Sequence, residues 1–287
     1  MQAVRYQAPE TVEEAIRLMS ADVGAIPLAG GTDLLIQFRA GIKPLTTFVD
    51  VKRIPELTRI TVDGQLRLGA AAPAISICER DEIRYLWPGL VEAVALIGSV
   101  QIQGRSTIGG NLCNGSPAAD TTCALIVNRA VCVIAGPSGQ RRVPVETFCI
   151  GPGRTVLTRG ELLVAIEVPR PMPHTADAYL RLIPRSEMDI AVAGAAVSIS
   201  LDGNGVCTAA CVAIGAVAPT PLLVPDAADA LVGSRIDDTA LGRAADASSR
   251  AARPIDDKRG TTSYRRHVVG VLTRRAAMRA AERARGR

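Results

Sequence analysis

Two loops in the sequence carry residue types that could bind a phosphate-bearing ligand. The first follows a short apolar run and consists of Leu28, Ala29, Gly30, Gly31, Thr32 and Asp33. Glycine allows the backbone to take left-handed conformations and to approach a ligand closely. Successive N–H groups in such a turn form a concave anion-binding site. A Gly-Gly pair by itself is more often a tight turn without a ligand, so the second loop decides how the first is interpreted.

The second loop, residues 107–120, combines another glycine pair with polar side chains. Its candidate binding residues are Thr107, Ile108, Gly109, Gly110, Asn111, Ser116 and Asp120. Amide and hydroxyl groups can donate to phosphate oxygens, and a carboxylate can accept from ribose hydroxyls. Neither loop reads Gly-x-Gly-x-x-Gly or ends in Gly-Lys-Ser/Thr. The two loops together therefore predict a dinucleotide bound outside a Rossmann crevice.

The elements that must position these loops form a mixed pattern. Thr11-Val12-Glu13-Glu14 is a capping box and predicts a helix over 11–19. Apolar runs and an Asp-Gly turn predict strands at 25–28 and 47–51, a hairpin at 60–68, a helix at 90–97, and strands at 130–135 and 162–168. The proline-rich segment 169–173 cannot continue a central strand or a helix. We place a domain linker there.

Beyond the linker the pattern changes to consecutive strands and then helices. Strands are predicted at 179–183, 193–201 and 206–217, and helices at 225–231, 238–252 and 264–283. This order is not the alternating βαβαβ repeat of a doubly wound sheet. The sequence predicts an α+β chain with one domain at 1–172, in parts of about 1–55 and 56–172, and a second domain at 173–287.

Composition and charge exclude several classes of protein. The chain has 287 residues, of which 48% are hydrophobic and only 3% aromatic, so a globular fold with an aliphatic core is expected. Residues 243–287 contain 13 basic and 4 acidic side chains, but apolar residues recur among them at helical spacing, which favours a solvated helix face. No interleaving of basic and aromatic residues indicates nucleic-acid binding. No apolar run approaches the ~18–20 residues of a membrane helix, and a cytoplasmic location is expected.

The cysteines and histidines predict no metal site and no catalytic residue. The seven cysteines, an odd number, are Cys78, Cys113, Cys123, Cys132, Cys149, Cys207 and Cys211. We expect reduced thiols, and we expect Cys113 to fill buried space. Cys207 and Cys211 have no second pair or histidine nearby to complete a zinc site. His174 and His267 lack partners for a catalytic triad, and Glu187 and Asp189 are expected to orient a loop.

The two loops and the segment Arg185–Ala191 together resemble the FAD-binding medium subunits of the molybdenum hydroxylases. This is the family of the xanthine dehydrogenase and carbon monoxide dehydrogenase flavoproteins. The resemblance extends from about Tyr6 to Leu272. It implies a two-part FAD-binding domain of the vanillyl-alcohol-oxidase (PCMH) type. A C-terminal domain with a three-stranded antiparallel sheet and a helical bundle is expected to follow it.

The resemblance also implies roles for individual residues. Residues 29–33 match the cradle for the pyrophosphate, and 107–111 match a second loop at the phosphate and the flavin edge. Asp120 matches a carboxylate that holds ribose, with capping of the following helix as the alternative. Leu163 matches an apolar residue that lines the isoalloxazine or the adenine. Arg181 lies where relatives have a lysine near the flavin, although the planar guanidinium differs from a point charge.

One tetrapeptide departs from the family pattern. Relatives commonly read Arg-Asn-x-Gly before Thr-x-Gly-Gly, whereas this chain reads Gln103-Gly104-Arg105-Ser106. If the backbone at Ser106 took a positive φ, its Cβ would cost about 1 kcal/mol or more. The departure therefore predicts an altered bend at the flavin edge.

The function implied by the resemblance is that of an electron-transferring oxidoreductase subunit with FAD as its cofactor. An iron–sulfur small subunit would supply electrons, a molybdopterin large subunit would hydroxylate the substrate, and an external acceptor would take the electrons. The three subunits would form a heterotrimer, with its dimerisation left open. Two alternatives remain: an assembly subunit without a redox role, and a stand-alone flavin reductase.

Overall fold

The computed structural model describes residues 4–287 and has thirteen α-helices and four β-sheets in that part of the chain. The strands are β1 (Arg5–Gln7), β2 (Ala25–Leu28), β3 (Thr47–Asp50), β4 (Ile60–Asp63), β5 (Gln65–Gly69), β6 (Val131–Gly136), β7 (Gly139–Pro144), β8 (Cys149–Gly151), β9 (Arg154–Thr155), β10 (Leu162–Pro169), β11 (Thr175–Leu182), β12 (Ala193–Leu201), β13 (Cys207–Gly215) and β14 (Leu222–Leu223). The helices are α1 (Val12–Ala21), α2 (Leu34–Arg39), α3 (Pro55–Thr58), α4 (Ala74–Cys78), α5 (Asp81–Leu86), α6 (Pro88–Ala95), α7 (Val100–Gln103), α8 (Ile108–Cys113), α9 (Asp120–Val127), α10 (Val145–Phe148), α11 (Pro225–Asp229), α12 (Asp238–Ala251) and α13 (Thr262–Arg285).

A small parallel sheet, in the order β1-β3-β2, forms the first part of the fold. Helix α1 begins as the capping box predicts, because Thr11 Oγ1 accepts from the amide of Glu14 at 3.2 Å. Its apolar face is buried in a cluster with Val49 of β3. This packing fixes the end of β2, from which the first glycine loop leaves.

A five-stranded antiparallel sheet, in the order β4-β5-β10-β6-β7, forms the second part. Residues Leu162–Val168 of the central strand β10 are all buried, and they are almost entirely apolar, as a strand covered on both faces requires. The exception is Glu167, which accepts from Arg67 of β5 at 2.6 Å and also from Arg142 of β7. The carboxylate is thus paired with cations on both sides.

The C-terminal sheet, in the order β11-β12-β13-β14, is buried on both faces. The three predicted strands are present, with the two-residue β14 as an addition. Ala195 and Val197 of β12 pack in one core with α12 and α13, whereas Ala196 packs in the core of the N-terminal region. Alternate residues of a strand point to opposite faces of the sheet, so β12 contributes to a different core on each face. Its small side chains allow the elements on both faces to pack close to the sheet.

Polar contacts tie the two regions together. Asp177 on β11 is 2% exposed, and its carboxylate accepts from the amides of Gly89 and Leu90 and from Asn128 Nδ2, at 2.7–3.0 Å. It thereby satisfies amides at the start of α6, where an anion is favoured. Arg283 of α13 donates to the Asp177 carbonyl at 2.9 Å and pairs with Glu92 of α6.

The basic residues of α13 are used largely within the chain. Arg265 is 4% exposed and donates to the carbonyls of Val192 and Ala216 while pairing with Asp257 at 2.7 Å. Arg279 and Arg283 both pair with Glu92, Arg279 at 3.2 Å and Arg283 at 2.5 Å. The predicted solvated helix face is therefore wrong for Arg265, which is buried, whereas Arg279 and most other basic residues of α13 are exposed. The helical pattern was correct, but charge alone does not show which arginines find internal acceptors.

The other residues considered for chemistry belong to no catalytic or metal-binding cluster within residues 4–287. His174 and His267 are exposed, and Asp189 accepts from its neighbour's amide and from Arg185, which orders its loop. All seven cysteines are free thiols. Within residues 4–287, no group of histidine, cysteine and acidic side chains could hold a metal ion. No helix in this range is long and apolar enough to cross a membrane.

Candidate functional site

A cleft of about 280 Å³ opens where the small parallel sheet meets the five-stranded sheet. Both glycine loops line it, as the sequence predicted. The predicted site residues that line this cleft are Ala29, Gly30, Gly31, Thr32, Asp33, Thr107, Gly109, Gly110, Asn111 and Leu163. Two segments almost eighty residues apart in sequence therefore form one site.

The first loop presents backbone donors to the cleft. Gly31 has a φ of +76°, a conformation that glycine adopts without strain. The amides of Gly31, Thr32 and Asp33 have no hydrogen-bond acceptor within residues 4–287. Such a set of free N–H groups matches the oxygens of a phosphate.

The first loop packs against residues 105–106, directly before the second loop, and the second loop packs against Ala70. A Cβ added to Gly30 would lie 2.0 Å from the carbonyl oxygen of Arg105, so only glycine fits there. A Cβ on Gly109 would lie 2.4 Å from the carbonyl oxygen of Ala70. Gly30 and Gly109 are thus required for packing, and their backbones line the cleft together with those of Gly31 and Gly110.

The second loop begins α8 and is held by side-chain hydrogen bonds. Thr107 caps the helix, because its Oγ1 accepts from the amide of Gly110 at 2.9 Å. Asn111 Oδ1 accepts from Thr121 Oγ1 at 2.6 Å, which leaves its amide nitrogen available. These bonds fix the loop and leave the side-chain amide of Asn111 as a donor for a ligand.

The unusual tetrapeptide is held by side-chain hydrogen bonds and has no left-handed residue, while an altered bend at the flavin edge stays a prediction. Gln103 Nε2 donates to the carbonyls of Ala95 and Ile97 at 2.7 and 3.3 Å, which anchors the end of α6. None of the residues 103–106 has a positive φ. The expected strain at Ser106 is therefore absent, and its side chain lies at the cleft wall.

Three polar lining residues were not predicted from the sequence, namely Gln37, Lys43 and Glu161, whereas Asn114 belongs to the second loop. Gln37 Nε2 donates to Asn114 Oδ1 at 2.9 Å and links α2 to the end of α8. Its Oε1 is buried and has no donor within residues 4–287. Lys43 is the one basic side chain among the described lining residues. Gln37 could have been suspected from its place on the helix after the first loop, whereas no pattern indicated Lys43.

Five predicted residues lie outside the cleft lining. Leu28 packs beside Gly31, Ile108 is fully buried in the core, and Ser116 Oγ accepts from the amide of Ala118 at 3.2 Å. Asp120 and Arg181 bind each other. The roles of these five residues toward a ligand stay predictions.

Asp120, Tyr179 and Arg181 form a buried polar cluster between the two regions. Tyr179 donates to Asp120 Oδ1 at 2.6 Å, and Arg181 pairs with Oδ2, with both ionic side chains less than 10% exposed. Burial raises the pKa of Asp120, and the nearby Arg181 and the Tyr179 hydrogen bond partly offset that rise. The capping alternative for Asp120 is wrong, because Ala119 is the N-cap of α9 and no side-chain cap is formed.

Glu161 fixes the turn that leads into β10. It accepts from Arg141 Nε and Nη2 at 2.6 and 2.8 Å and from the amide of Thr158 at 2.7 Å. These bonds, Arg141 foremost, lower the pKa of Glu161 to about 2. The turn thereby holds Leu162 and Leu163 against the cleft.

We expect Glu161→Gln to lower the free energy of unfolding at neutral pH by about 1 kcal/mol, since Arg141 is partly solvated. A carboxylate with a lowered pKa stabilises the fold above its unfolded pKa. The wild-type advantage should therefore shrink as the pH falls from about 5 toward 2. Denaturant titrations at a series of pH values test this, with exposed Glu187→Gln as the control. A constant difference between wild type and variant at all pH values contradicts the prediction.

Cys113 also lines the cleft. Burial raises the pKa of its thiol to about 12. The thiol therefore stays protonated, which is unlike a reactive cysteine and agrees with its predicted part as a filler.

Comparison with known proteins decides the family. Residues 2–171 match the model for the FAD binding domain in molybdopterin dehydrogenase, and residues 178–280 match that for the CO dehydrogenase flavoprotein C-terminal domain. The chain belongs to the FAD-binding medium subunits of the molybdenum hydroxylase family. The family prediction is thus confirmed.

Individual members of this family are similar over nearly the whole chain. The carbon monoxide dehydrogenase medium chain of Hydrogenophaga pseudoflava is 34% identical, covering 94% of each chain. The xanthine dehydrogenase FAD-binding subunit of Escherichia coli O157:H7 is 31% identical over 98% of this chain and 97% of its own. The structure of reconstituted CO dehydrogenase from Oligotropha carboxidovorans matches with a TM-score of 0.94 at 32% identity, covering 98% of this chain and 99% of that one.

These comparisons confirm the fold class, the cofactor and the oxidoreductase class of this medium subunit. The residues that line the cleft are chemically suited to FAD. Its free amides and Lys43 suit a diphosphate, and its apolar wall, with Leu162 and Leu163, suits an aromatic ring system. The buried Gln37 Oε1 offers an acceptor that no described protein group satisfies.

Proposed function

We propose that this medium subunit binds FAD in the cleft between residues 29–33 and 107–111 and transfers electrons through it. An iron–sulfur small subunit supplies the electrons, and an external acceptor takes them. A molybdopterin large subunit completes the heterotrimer. The observation that carries this proposal is the convergence of both glycine loops, with free amides, on one cleft.

The partners in this proposal are supported by the relatives. Similar chains are named as the medium chain or the FAD-binding subunit of dehydrogenases, and one matching structure is that of a Cu,Mo-CO dehydrogenase. We also propose domains at 1–172 and 173–287, of which residues 1–3 lie outside the described part. The two family models, which end at 171 and begin at 178, support this division.

FAD, when bound, supplies the two-electron redox chemistry. The chain provides its placement. The amides of Gly31–Asp33 and the amide nitrogen of Asn111 can donate to phosphate oxygens, and Lys43 adds a positive charge. Leu162 and Leu163 exclude water from one side of the cleft.

The redox role is tested on the chain co-expressed with its partner subunits. The purified complex should be yellow, bleach on addition of dithionite and regain its colour in air. A colourless complex that retains its subunits contradicts electron transfer and favours the assembly role.

The placement of FAD is tested by Gly110→Leu. A Cβ added to Gly110 would meet only Thr107 Oγ1 within 4 Å, at 2.9 Å, so the Thr107 side chain must give way slightly. Gly110 is otherwise exposed, and the leucine side chain should extend into the open cleft. We expect FAD affinity to fall about tenfold or more, measured by flavin fluorescence titration of the purified chain. Unchanged affinity contradicts the placement, even if the redox role holds.

A further inference from the structure

Asn111 is a polar side chain of the second loop that a ligand in the cleft can reach. It is half-buried and lines the cleft. Its Nδ2 has no acceptor within residues 4–287, and it is not among the unpaired atoms there that are sealed from solvent. The nitrogen end of an amide group donates, whereas the oxygen end accepts. What the site offers a ligand therefore depends on which end of the amide faces the cleft.

The hydroxyl of Thr121 lies behind Asn111 and sets this orientation. Thr121 Oγ1 donates to Asn111 Oδ1 at 2.6 Å, and Thr121 is fully buried on α9. The bond holds the oxygen end of the amide and leaves Nδ2 for the cleft. A half-turn of the amide would instead place Oδ1 there, where it would repel the acceptor oxygens of a ligand.

The C-terminal region fixes the position of Thr121. The residue before it, Asp120, is bound by Tyr179 and Arg181 of β11. Helix α9 also packs against β12 and β13. The start of α9 is therefore held by the C-terminal sheet, while its Thr121 hydroxyl reaches the second loop of the cleft.

We propose that Thr121 is a positioning residue of the FAD site. Its hydroxyl holds the Asn111 amide with Nδ2 toward the cleft, where Nδ2 donates to an acceptor oxygen of bound FAD. Thr121 itself does not line the cleft and acts only through Asn111. The inference rests on the proposed placement of FAD, and it makes the C-terminal region part of what sets the geometry of the site.

The first test compares Thr121→Val with Thr122→Val in the purified full-length chain. Both threonines are buried on α9, but the Thr122 hydroxyl has no hydrogen-bond partner within the described residues. We expect Thr121→Val to raise the Kd of FAD about three- to tenfold in a flavin fluorescence titration, because the Asn111 amide can then rotate. Thr122→Val should leave the Kd unchanged.

Thr121→Ser is the conservative variant, since it keeps the hydroxyl. Its Kd for FAD should stay within about twofold of the wild-type value. A serine variant as weak as Thr121→Val, or an equal loss in Thr122→Val, attributes the effect to the packing of α9 and overturns the proposal. A wild-type Kd in Thr121→Val overturns it as well.

A double-mutant cycle shows whether Thr121 acts through Asn111. Asn111→Ala should raise the Kd of FAD about tenfold. In that background Thr121→Val should cause no further rise, because the group that it positions is gone. Simply additive effects overturn the proposal, since Thr121 would then influence FAD without Asn111.

Asn111→Asp tests the orientation of the amide even if Thr121→Val does not fold. The carboxylate still accepts from the Thr121 hydroxyl, but it places an oxygen in the cleft where Nδ2 was. We expect the Kd of FAD to rise about a hundredfold, more than in Asn111→Ala. A Kd no higher than that of Asn111→Ala overturns the proposal, because the end of Asn111 that faces the cleft is then not a donor.

Gly110→Leu separates this inference from the placement of FAD. Loss of FAD in Gly110→Leu, with a wild-type Kd in Thr121→Val, overturns the role of Thr121 and leaves the placement standing. A wild-type Kd in Gly110→Leu overturns the placement and the inference together.

Discussion

Arg181→Met should lower the free energy of unfolding by about 3–5 kcal/mol, because it leaves the buried carboxylate of Asp120 without its cation. The guanidinium and the carboxylate are 6% and 9% exposed. Burial already raises the pKa of Asp120, and loss of Arg181 should raise it further. Urea denaturation of the full chain, followed by circular dichroism, measures the loss.

A double variant shows whether the lost ion pair is the cause. Asp120→Leu combined with Arg181→Met removes both charges, and apolar replacements of a buried pair are often close to neutral. The double variant should therefore be more stable than Arg181→Met alone. If the two substitutions are simply additive, the cost comes from packing around Tyr179 and not from the unpaired carboxylate.

Gly30→Val should reduce FAD affinity about a hundredfold. A Cβ at this position would lie 2.0 Å from the Arg105 carbonyl oxygen, and backbone cannot yield as a flexible side chain does. The two loops must move apart, which separates the amides of 31–33 from the donors of 107–111. Loss of two or three hydrogen bonds to a charged group accounts for a change of this size.

Gly242→Val is the matched control for Gly30→Val. Gly242 lies in α12, and a Cβ there meets nothing within 4 Å. Its substitution should leave FAD affinity unchanged. The prediction for Gly30 is contradicted if Gly30→Val folds with wild-type stability and retains FAD on gel filtration.

The sequence predicted the elements with strong local patterns. The capping box of α1, the hairpin of β4 and β5, and the strands β12 and β13 depend on neighbours in the chain, and the structure has each of them. The two glycine loops were found for the same reason, since the residue types that form an anion-binding turn are adjacent in sequence. That both loops serve one dinucleotide was predicted from their residue types, and the family resemblance assigned their separate parts. The first half of β11, from Thr175, was not predicted.

The partners of individual side chains could not be predicted. Lys43 and Gln37 reach the cleft because of the way α2 packs beside α8, which no local pattern encodes. Asp120 and Arg181 were assigned separately to a ligand, yet the fold pairs them across 61 residues of sequence. Which side chains pair over such sequence separations depends on which groups lie close together after the core has packed.

The contact between Glu92 and Arg283 joins residues 191 positions apart. During translation, α6 and the five-stranded sheet leave the ribosome long before α13 does. The N-terminal region must therefore exist for a time with Glu92 lacking its arginines and with the apolar surface that later meets β12 open to solvent. That interval is when the nascent chain is most exposed to aggregation, and a chaperone that shields this surface would act there.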